Sequence, residues 1–394
     1  MSFATLDGLD CSGKRVLLRE DFNVPLKDGA VLDYTRIDAA LPTLRRLQAA
    51  GARTVVLSHL GRPNGKIDER YSLRIVAEAL AKRLGAPVAF ATDCIGEAAR
   101  ATVAALEPGG IALLESVRFH PGEEANDVTF ARALAENGDL YVNDAFGTAH
   151  RAHASTEALA HLLPAAAGPL LESEIRALSG LLGSPAKPFV CAIGGAKVRD
   201  KVALFNHLMD RVDAFCVGGG MANTFLAAKG LHVGSSLRDD DLDPAREILV
   251  RADGKKVQIH LPSDAVVAPS FDADDRSHVV SIDDVNEEMI LDIGPATAKV
   301  YADTLSRAKT IVFNGPMGVY EKESYRAGTR AVGDAIARAT KHGGFTVVGG
   351  GDAAAAATLL GFANRVSHVS TGGGATLEFL EGRTLPGIAA LEHA

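Results

Sequence analysis

Nine apolar runs, each three to five residues long, punctuate the chain, and helical patterns fill the stretches between them. The first series is Arg15–Leu18, Thr54–Ser58, Ile111–Leu114 and Leu140–Asn143; the second is Phe189–Ile193, Ala214–Val217, Val257–Leu261, Thr310–Asn314 and Thr346–Val348. Runs this short and this apolar read as strands buried on both faces, and strands alternating with helices build parallel βα units. A chain of 394 residues exceeds the roughly 250 to 300 at which a single core stops growing. Between the two series lies Gly168-Pro169, then a helix-like stretch with apolar Leu171, Ile175, Leu178 and Leu182, closed by Gly183-Ser184-Pro185. The predicted fold is therefore α/β, with two doubly wound parallel-sheet (Rossmann-like) domains over 1–168 and 185–379, joined by a hinge helix in 169–184. Ligands of such sheets collect beyond the carboxyl ends of the strands, so the residues just after each run are the candidates.

Composition narrows the function classes. The formal net charge is −8, which argues against general nucleic-acid affinity but leaves room for a local basic cleft. Cys11, Cys94, Cys191 and Cys216 share no CxxC spacing and sit in or near apolar stretches, so they read as reduced core thiols rather than a zinc site or disulfide framework. No basic segment followed by an apolar one opens the sequence and no 18-residue apolar span occurs, so a cytoplasmic chain without membrane partners is expected. Two ample cores require no partner, so a monomer is the simplest expectation.

In the first half, polar residues cluster after each strand: Arg19 through Pro25 with Arg36 further on, then Ser58 through Pro63, Glu115 through His120, and Asn143 through Arg151. One strand-end arginine usually makes a weak surface ion pair. Arg36, Arg62, Arg118 and Arg151 at one sheet edge would repel one another unless an anion neutralised them, and guanidinium forks suit carboxylate and phosphate. A small multi-anionic ligand is favoured over a structural salt-bridge network, with His59 and His150 as possible donors. Asp21 and Asn23 add an acceptor and an amide suited to hydroxyls.

The second half has neither GxxxxGK[ST] nor GxGxxG, so glycines in other arrangements must serve phosphate. Gly194 to Lys201 (GGAKVRDK) follows an apolar run and spaces Lys197 and Lys201 four apart, which would place both ammoniums on one helix face past a glycine turn whose N–H groups are free for an anion. The bland alternative is a tight turn with a solvated lysine pair. Gly218-Gly219-Gly220, Asn314-Gly315-Pro316-Met317-Gly318, Gly349-Gly350-Gly351-Asp352 and Gly372-Gly373-Gly374 also follow strands. The Gly349 to Gly351 turn is expected to open a helix that receives phosphate oxygens, with Asp352 able to hold magnesium and Glu321 suited to ribose hydroxyls.

With these residues in view, the chain resembles the phosphoglycerate kinase family over essentially its whole length. The resemblance is carried by LLREDFNVP (Leu17–Pro25), SHLGRP (Ser58–Pro63), NDAFGTAHRAHAS (Asn143–Ser155), GGAKVRDK, NGPMGVYE (Asn314–Glu321), GGGD and STGGGATLEFLEG (Ser370–Gly382). It implies a glycolytic kinase that moves a phosphoryl group directly and reversibly between 1,3-bisphosphoglycerate and ADP, giving 3-phosphoglycerate and Mg-ATP. By the same resemblance Asp21, Asn23, Arg36, His59, Arg62, Arg118 and Arg151 bind the phosphoglycerate. Gly194, Gly195, Lys201, Gly294, Asn314, Glu321, Gly349, Gly350, Gly351, Asp352 and Ala353 serve the nucleotide, Asp352 holds Mg2+, and Arg36, Lys197 and Lys201 act on the moving group. Residues 380–394 are expected to pack back on the first domain. One departure stands out: the family usually carries Thr or Ser where this chain has Ala353, so a side-chain contact to phosphate there is in doubt. Two rivals remain, a non-catalytic protein closing over an anionic metabolite and a nicotinamide-dependent dehydrogenase. The first leaves Lys197, Lys201 and Asp352 unexplained; the second lacks its glycine fingerprint.

Overall fold

The computed structural model describes residues 3–392, and in it each series of strands forms its own six-stranded parallel sheet. In the first sheet the strands lie side by side in the order Ala89–Ala91, Ile111–Leu114, Arg53–Leu57, Arg15–Arg19, Leu140–Asn143, Ala165–Ala167. Val16 pairs with Thr54 on one side and Leu140 on the other, which sets the register of the centre. The strands Arg15–Arg19 and Arg53–Leu57 are buried from their second residue on, as expected when helices cover both faces. The helix Thr35–Ala49 supplies one cover, burying Ile37, Leu44 and Leu47 on a single stripe against Val16, Leu18 and Val56. The chain turns between the first strand and this helix through a small hairpin, Leu26–Lys27 against Ala30–Val31. Asp28 and Gly29 form its tip at φ +50° and +75°, the Asp-Gly chemistry of a two-residue hairpin turn.

The second sheet runs Gln258–His260, Ala214–Val217, Phe189–Ile193, Thr310–Asn314, Phe345–Val348, His368–Val369. Numbered along the chain this is 3-2-1-4-5-6, the order of dinucleotide-binding sheets, and the order reverses between Phe189–Ile193 and Thr310–Asn314. An antiparallel sheet of three strands, His278–Ser281, Asp264–Ala268 and Met289–Ile293, is an addition that the sequence reading did not contain. Its outer strand is mostly exposed, so it lacks the continuous apolar signal of the buried strands. The edge strands Ala89–Ala91, Ala165–Ala167 and His368–Val369 were equally silent, because two or three residues, mostly alanine, carry no period.

The chain divides into two compact units, Met1–Arg176 with Thr384–Ala394, and Ala177–Arg383. The division falls inside the helix Pro169–Leu182. Asp144, at the end of the central strand pair of the first sheet, fastens the start of that helix: its buried carboxylate accepts the Leu170 and Leu171 N–H groups at 2.8 and 3.0 Å and the Thr43 hydroxyl at 2.5 Å. Of the expected returning segment 380–394, residues 380–383 stay with the second unit, because Phe379 and Leu380 are buried there and Gly382 lies against His207. From Thr384 the chain belongs to the first unit, where the Gly387 N–H donates to the Ala149 carbonyl at 2.9 Å. Residues 1, 2, 393 and 394 of the expected first domain lie outside the described residues. Asp144→Ala removes a two-donor cap and leaves the Thr43 hydroxyl buried without it, so it should cost about 1–3 kcal/mol, read as a lower urea midpoint at pH 7.

Candidate functional site

Each sheet delivers one set of polar groups at its carboxyl edge. In the first unit, Ser58 stitches two strand ends together, donating to the Glu20 carbonyl at 2.8 Å and accepting the Phe22 N–H at 2.9 Å. Asn23 accepts the Gly61 N–H through Oδ1 at 2.9 Å, so its amide oxygen is engaged in holding the loop and only its NH2 remains for a hydroxyl. Asp21 pairs with Arg36 at 2.5 Å, which seats Arg36, the second residue of the helix Thr35–Ala49, at this edge.

The centre of the cluster is Arg19, which belongs to the polar group expected after the first strand but without a ligand role of its own. Arg19 is fully buried; it donates through Nε to the Ser155 hydroxyl at 2.8 Å and through a terminal nitrogen to His59 Nδ1 at 3.1 Å. A guanidinium has no acceptor, so His59 Nδ1 must be the unprotonated nitrogen and Nε2 carries the hydrogen. Burial holds His59 well below its usual pKa, helped by Arg19, Arg118 and Arg36, so the ring is a neutral donor. Ser155 passes the link on: its N–H and hydroxyl donate at 2.8 and 2.6 Å to Glu123, a carboxylate with no exposure at all. His153 Nδ1 lies 3.8 Å from the same carboxylate, and burial, then Arg118 and Arg19, lower its pKa to about 4.

Arg118, in the turn Val117–Phe119, is 4% exposed and donates to the Gly61 carbonyl at 2.8 Å. Its Nε makes no hydrogen bond but lies 3.5 Å from Glu124 Oε1, and burial together with the fields of Arg19 and Arg151 lowers its pKa to about 10. Arg151 donates to its neighbour His150 at 3.1 Å, and Arg62 is exposed on the turn beside Gly61. Arg19, Arg36 and Arg118 thus surround His59, with Arg151 in reach of Arg118. The four guanidiniums outnumber the Asp21, Glu123 and Glu124 carboxylates that answer them, and a small polyanion would supply the difference. Neither Arg19 nor Glu123 announced itself, because a charge ending an apolar run and a Glu-Glu pair both read as solvated surface.

In the second unit the expected helix over the two lysines is absent. The helix Val202–Leu208 starts only after Lys201, and Lys197 precedes a separate 3-10 turn, Arg199–Lys201, so the two side chains do not share a helix face. Nor is the Gly194 N–H free for an anion, since it donates to the Asn314 carbonyl at 3.1 Å. Gly194 is glycine for packing, because a Cβ there would strike the Pro316 carbonyl. Lys201 instead reaches into the crevice where the strand order reverses, donating to the Gly194 and Asn314 carbonyls at 2.6 and 2.8 Å. Gly195 and Gly315, at φ +122° and +104°, keep their backbones close to its ammonium. Burial lowers the Lys201 pKa to about 8, against the pull of Cys191 and Asp352.

Beside this crevice the helix Gly351–Leu359 opens after Gly350 at φ +99°. The first backbone N–H that it uses internally is that of Ala354, donated to Gly350, so those of Gly351, Asp352 and Ala353 point out of its positive end. Asp352 is exposed, whereas the Ala353 side chain is buried in the apolar core. Asn314 donates to the Gly349 carbonyl at 2.7 Å and leaves its buried Oδ1 unpartnered. Next to these groups lies a cavity of about 470 Å³, lined by Gly195, Gly219, Gly220, Leu237, Phe271, Met289, Leu291, Val319, Glu321 and Asp352 among others. Its size and apolar walls suit a nucleobase and ribose. Gly294 is not in the lining; it leaves room for Asp264, which caps the helix Pro295–Ser306 through the Ala296 and Thr297 N–H groups at 2.9 and 2.8 Å. The apolar walls gave no sequence motif, since residues such as Leu237 and Met289 look like any core residue.

Fold and site define a two-unit α/β protein with an arginine-rich, cationic cluster on one sheet and a glycine-lined crevice with a base-sized cavity on the other. A profile of the phosphoglycerate kinase family matches residues 6–383. The chain is 53% identical over 393 residues to phosphoglycerate kinase of Moorella thermoacetica, covering 99% of each chain, and 51% identical over 399 aligned residues to that of Chloroflexus aurantiacus, covering 100% of each. Among solved structures it resembles phosphoglycerate kinase from Coxiella burnetii, with a TM-score of 0.90, 44% identity, and coverage of 100% of this chain and 99% of that one. The chain belongs to the phosphoglycerate kinase family.

Because Lys201 loses its proton as pH rises through about 8, its cation becomes a neutral amine. ADP affinity of the unaltered chain, measured by calorimetry, should therefore fall between pH 7 and pH 9, while Lys201→Met binds weakly and with a flat profile.

Proposed function

We propose that this chain catalyses reversible phosphoryl transfer from 1,3-bisphosphoglycerate to ADP, giving 3-phosphoglycerate and ATP. The observation that carries this reading is the Lys201 ammonium, held between the Gly194 and Asn314 carbonyls at the sheet's switch point. The open N–H groups of a helix and a base-sized cavity lie beside it. Phosphoryl transfer spreads charge over the equatorial oxygens and needs alignment more than covalent help. Lys201 serves the nucleotide phosphates and the moving group, with Lys197 nearby in sequence, while Arg36 serves the moving group from the acid side. His59, as a neutral Nε2–H donor, and the Arg118 and Arg151 guanidiniums hold the phosphoglycerate, and Arg62 and Asn23 complete that set. The attacking or leaving oxygen belongs to a carboxylate that is already ionised at neutral pH, so no general base is needed.

Magnesium enters with the nucleotide. Asp352 offers one exposed carboxylate at the first turn of the helix, which suits an ion that keeps water and phosphate oxygens as its other ligands. Bound there, it would offset phosphate charge. Donor and acceptor must meet in line with water excluded, so the reading includes a closing movement about the helix Pro169–Leu182. It also includes a monomeric, cytoplasmic enzyme; the free, buried thiols of Cys11, Cys94, Cys191 and Cys216 suit a reducing compartment.

ATP formation from 1,3-bisphosphoglycerate and MgADP by the purified chain tests the activity. Binding of both ligands without ATP would instead favour the non-catalytic metabolite-binding protein. Lys201→Met should lower kcat by about 10² to 10³, and an unchanged kcat would remove Lys201 from its role. Arg36→Lys keeps the charge but loses the fork, and a drop of about tenfold or more in kcat/KM for the acid is expected in initial-rate assays.

A further inference from the structure

Lys322 stands just outside the nucleotide cavity and touches none of its interior, yet it makes more contacts than a surface lysine needs. Its ammonium sits 4.2 Å from the centre of the Phe271 ring, donates to the Phe271 carbonyl at 2.7 Å and to Asp272 Oδ1 at 3.1 Å, and lies 3.5 Å from Asp274. Its side chain is only 23% exposed. All of these partners belong to the segment that follows the strand Asp264–Ala268. Phe271 contributes one wall of the cavity; Tyr320 and Glu321, which immediately precede Lys322, contribute another. The turn bearing Lys322 is itself pinned, its N–H donating to the Val319 carbonyl at 3.2 Å and its carbonyl accepting the Tyr325 N–H at 3.1 Å.

From this we infer that Lys322 is a positioning residue for the nucleotide: a single ammonium ties the aromatic wall to the turn carrying Glu321 and fixes the width of the cavity mouth. A lysine has three donors and no acceptor, and its compact charge can face a ring and two carboxylates at once. Phe271 is 45% exposed, so little apolar packing would hold the ring in place without the tether. The consequence falls on the base and ribose, which this wall and this turn face, and leaves the phosphate-transfer groups at Lys201 and Asp352 as they are. Nucleotide affinity and residence should therefore depend on Lys322, while turnover at saturation should not.

This rests on the nucleotide reading of the cavity, and the test separates the two. Calorimetric titration with ADP should give a Kd about 5- to 20-fold higher for Lys322→Met than for the unaltered chain. Saturated kcat should stay within about twofold and the KM for 3-phosphoglycerate should not change, whereas Lys322→Arg, still cationic over the ring, should recover most of the affinity. Asp272→Asn combined with Asp274→Asn loosens the same tether from its other end, at sites where a folding defect is not expected; about a two- to fivefold rise in Kd is expected. At about 1 M salt, where the Debye length falls to about 3 Å, that difference should shrink. If the unaltered chain binds no ADP, the reading of the cavity fails. If it binds ADP and either Lys322→Met or the double variant binds equally well, or if the 3-phosphoglycerate KM rises as much as the ADP Kd, the tether is overturned.

Discussion

Everything chemical in this chain follows from the direction of its strands. In a parallel sheet the carboxyl ends all point one way, and where the strand order reverses, the chain leaves to opposite faces and opens a crevice between neighbouring carbonyls. In the second sheet that crevice lies between Ile193 and Asn314, partners in register. Asn314 and Gly194, the residue after Ile193, expose their carbonyls to one point, and an ammonium is the simplest group that satisfies both. Lys201 takes that place. The oxygens hold its charge in the crevice, while burial makes that charge easier to remove, as its lowered pKa records. A cation held this way is fixed in position and poorly solvated, which strengthens its attraction for phosphate.

The first sheet solves the opposite problem. A buried arginine is costly unless every nitrogen finds a partner, and Arg19 meets that cost with the Ser155 hydroxyl, the His59 ring and the Glu20 carbonyl. Glu123 balances the charge through Ser155 and through its field on Arg19. The guanidinium therefore organises its neighbours: it fixes the His59 tautomer and adds its field to Arg118. The Arg118 Nε makes no hydrogen bond and is answered only by the Glu124 carboxylate at 3.5 Å. Buried arginines here define where a negative ligand belongs more than they stabilise the fold.

The reach of the sequence follows the same physics. Long buried strands were legible because burial on both faces forces continuous apolar runs. The antiparallel addition and the alanine edge strands were not, since exposed or tiny strands leave no period. Arg36, Arg118 and Arg151 could be picked out because they recur after strands. Arg19 and Glu123 could not, because nothing in a one-dimensional pattern separates a charge at a strand end, or one in a short acidic helix such as Pro121–Glu124, that faces solvent from one that faces inward. Lys197 and Lys201 were tied together by a four-residue spacing that means adjacency only inside a helix, and the backbone at Arg199–Lys201 turns as a 3-10 segment before the helix begins. Spacing is informative only after the local conformation is known.

Ala353 shows how a departure from a family's habit can be read from packing. The residue is 1% exposed, and its methyl group joins an apolar cluster with Val348, Ala357 and Phe362. A hydroxyl on that face would have to turn back to the helix backbone or stay unpaired among hydrocarbon, which costs about 1–3 kcal/mol. What this position leaves open is its main chain, whose N–H stands in the first turn where no intrahelical acceptor exists. Asp352, one residue earlier, carries the exposed carboxylate. The two adjacent residues thus differ in what they present, one a side chain to solvent and the other an open backbone donor, and the second does not depend on which small residue stands there.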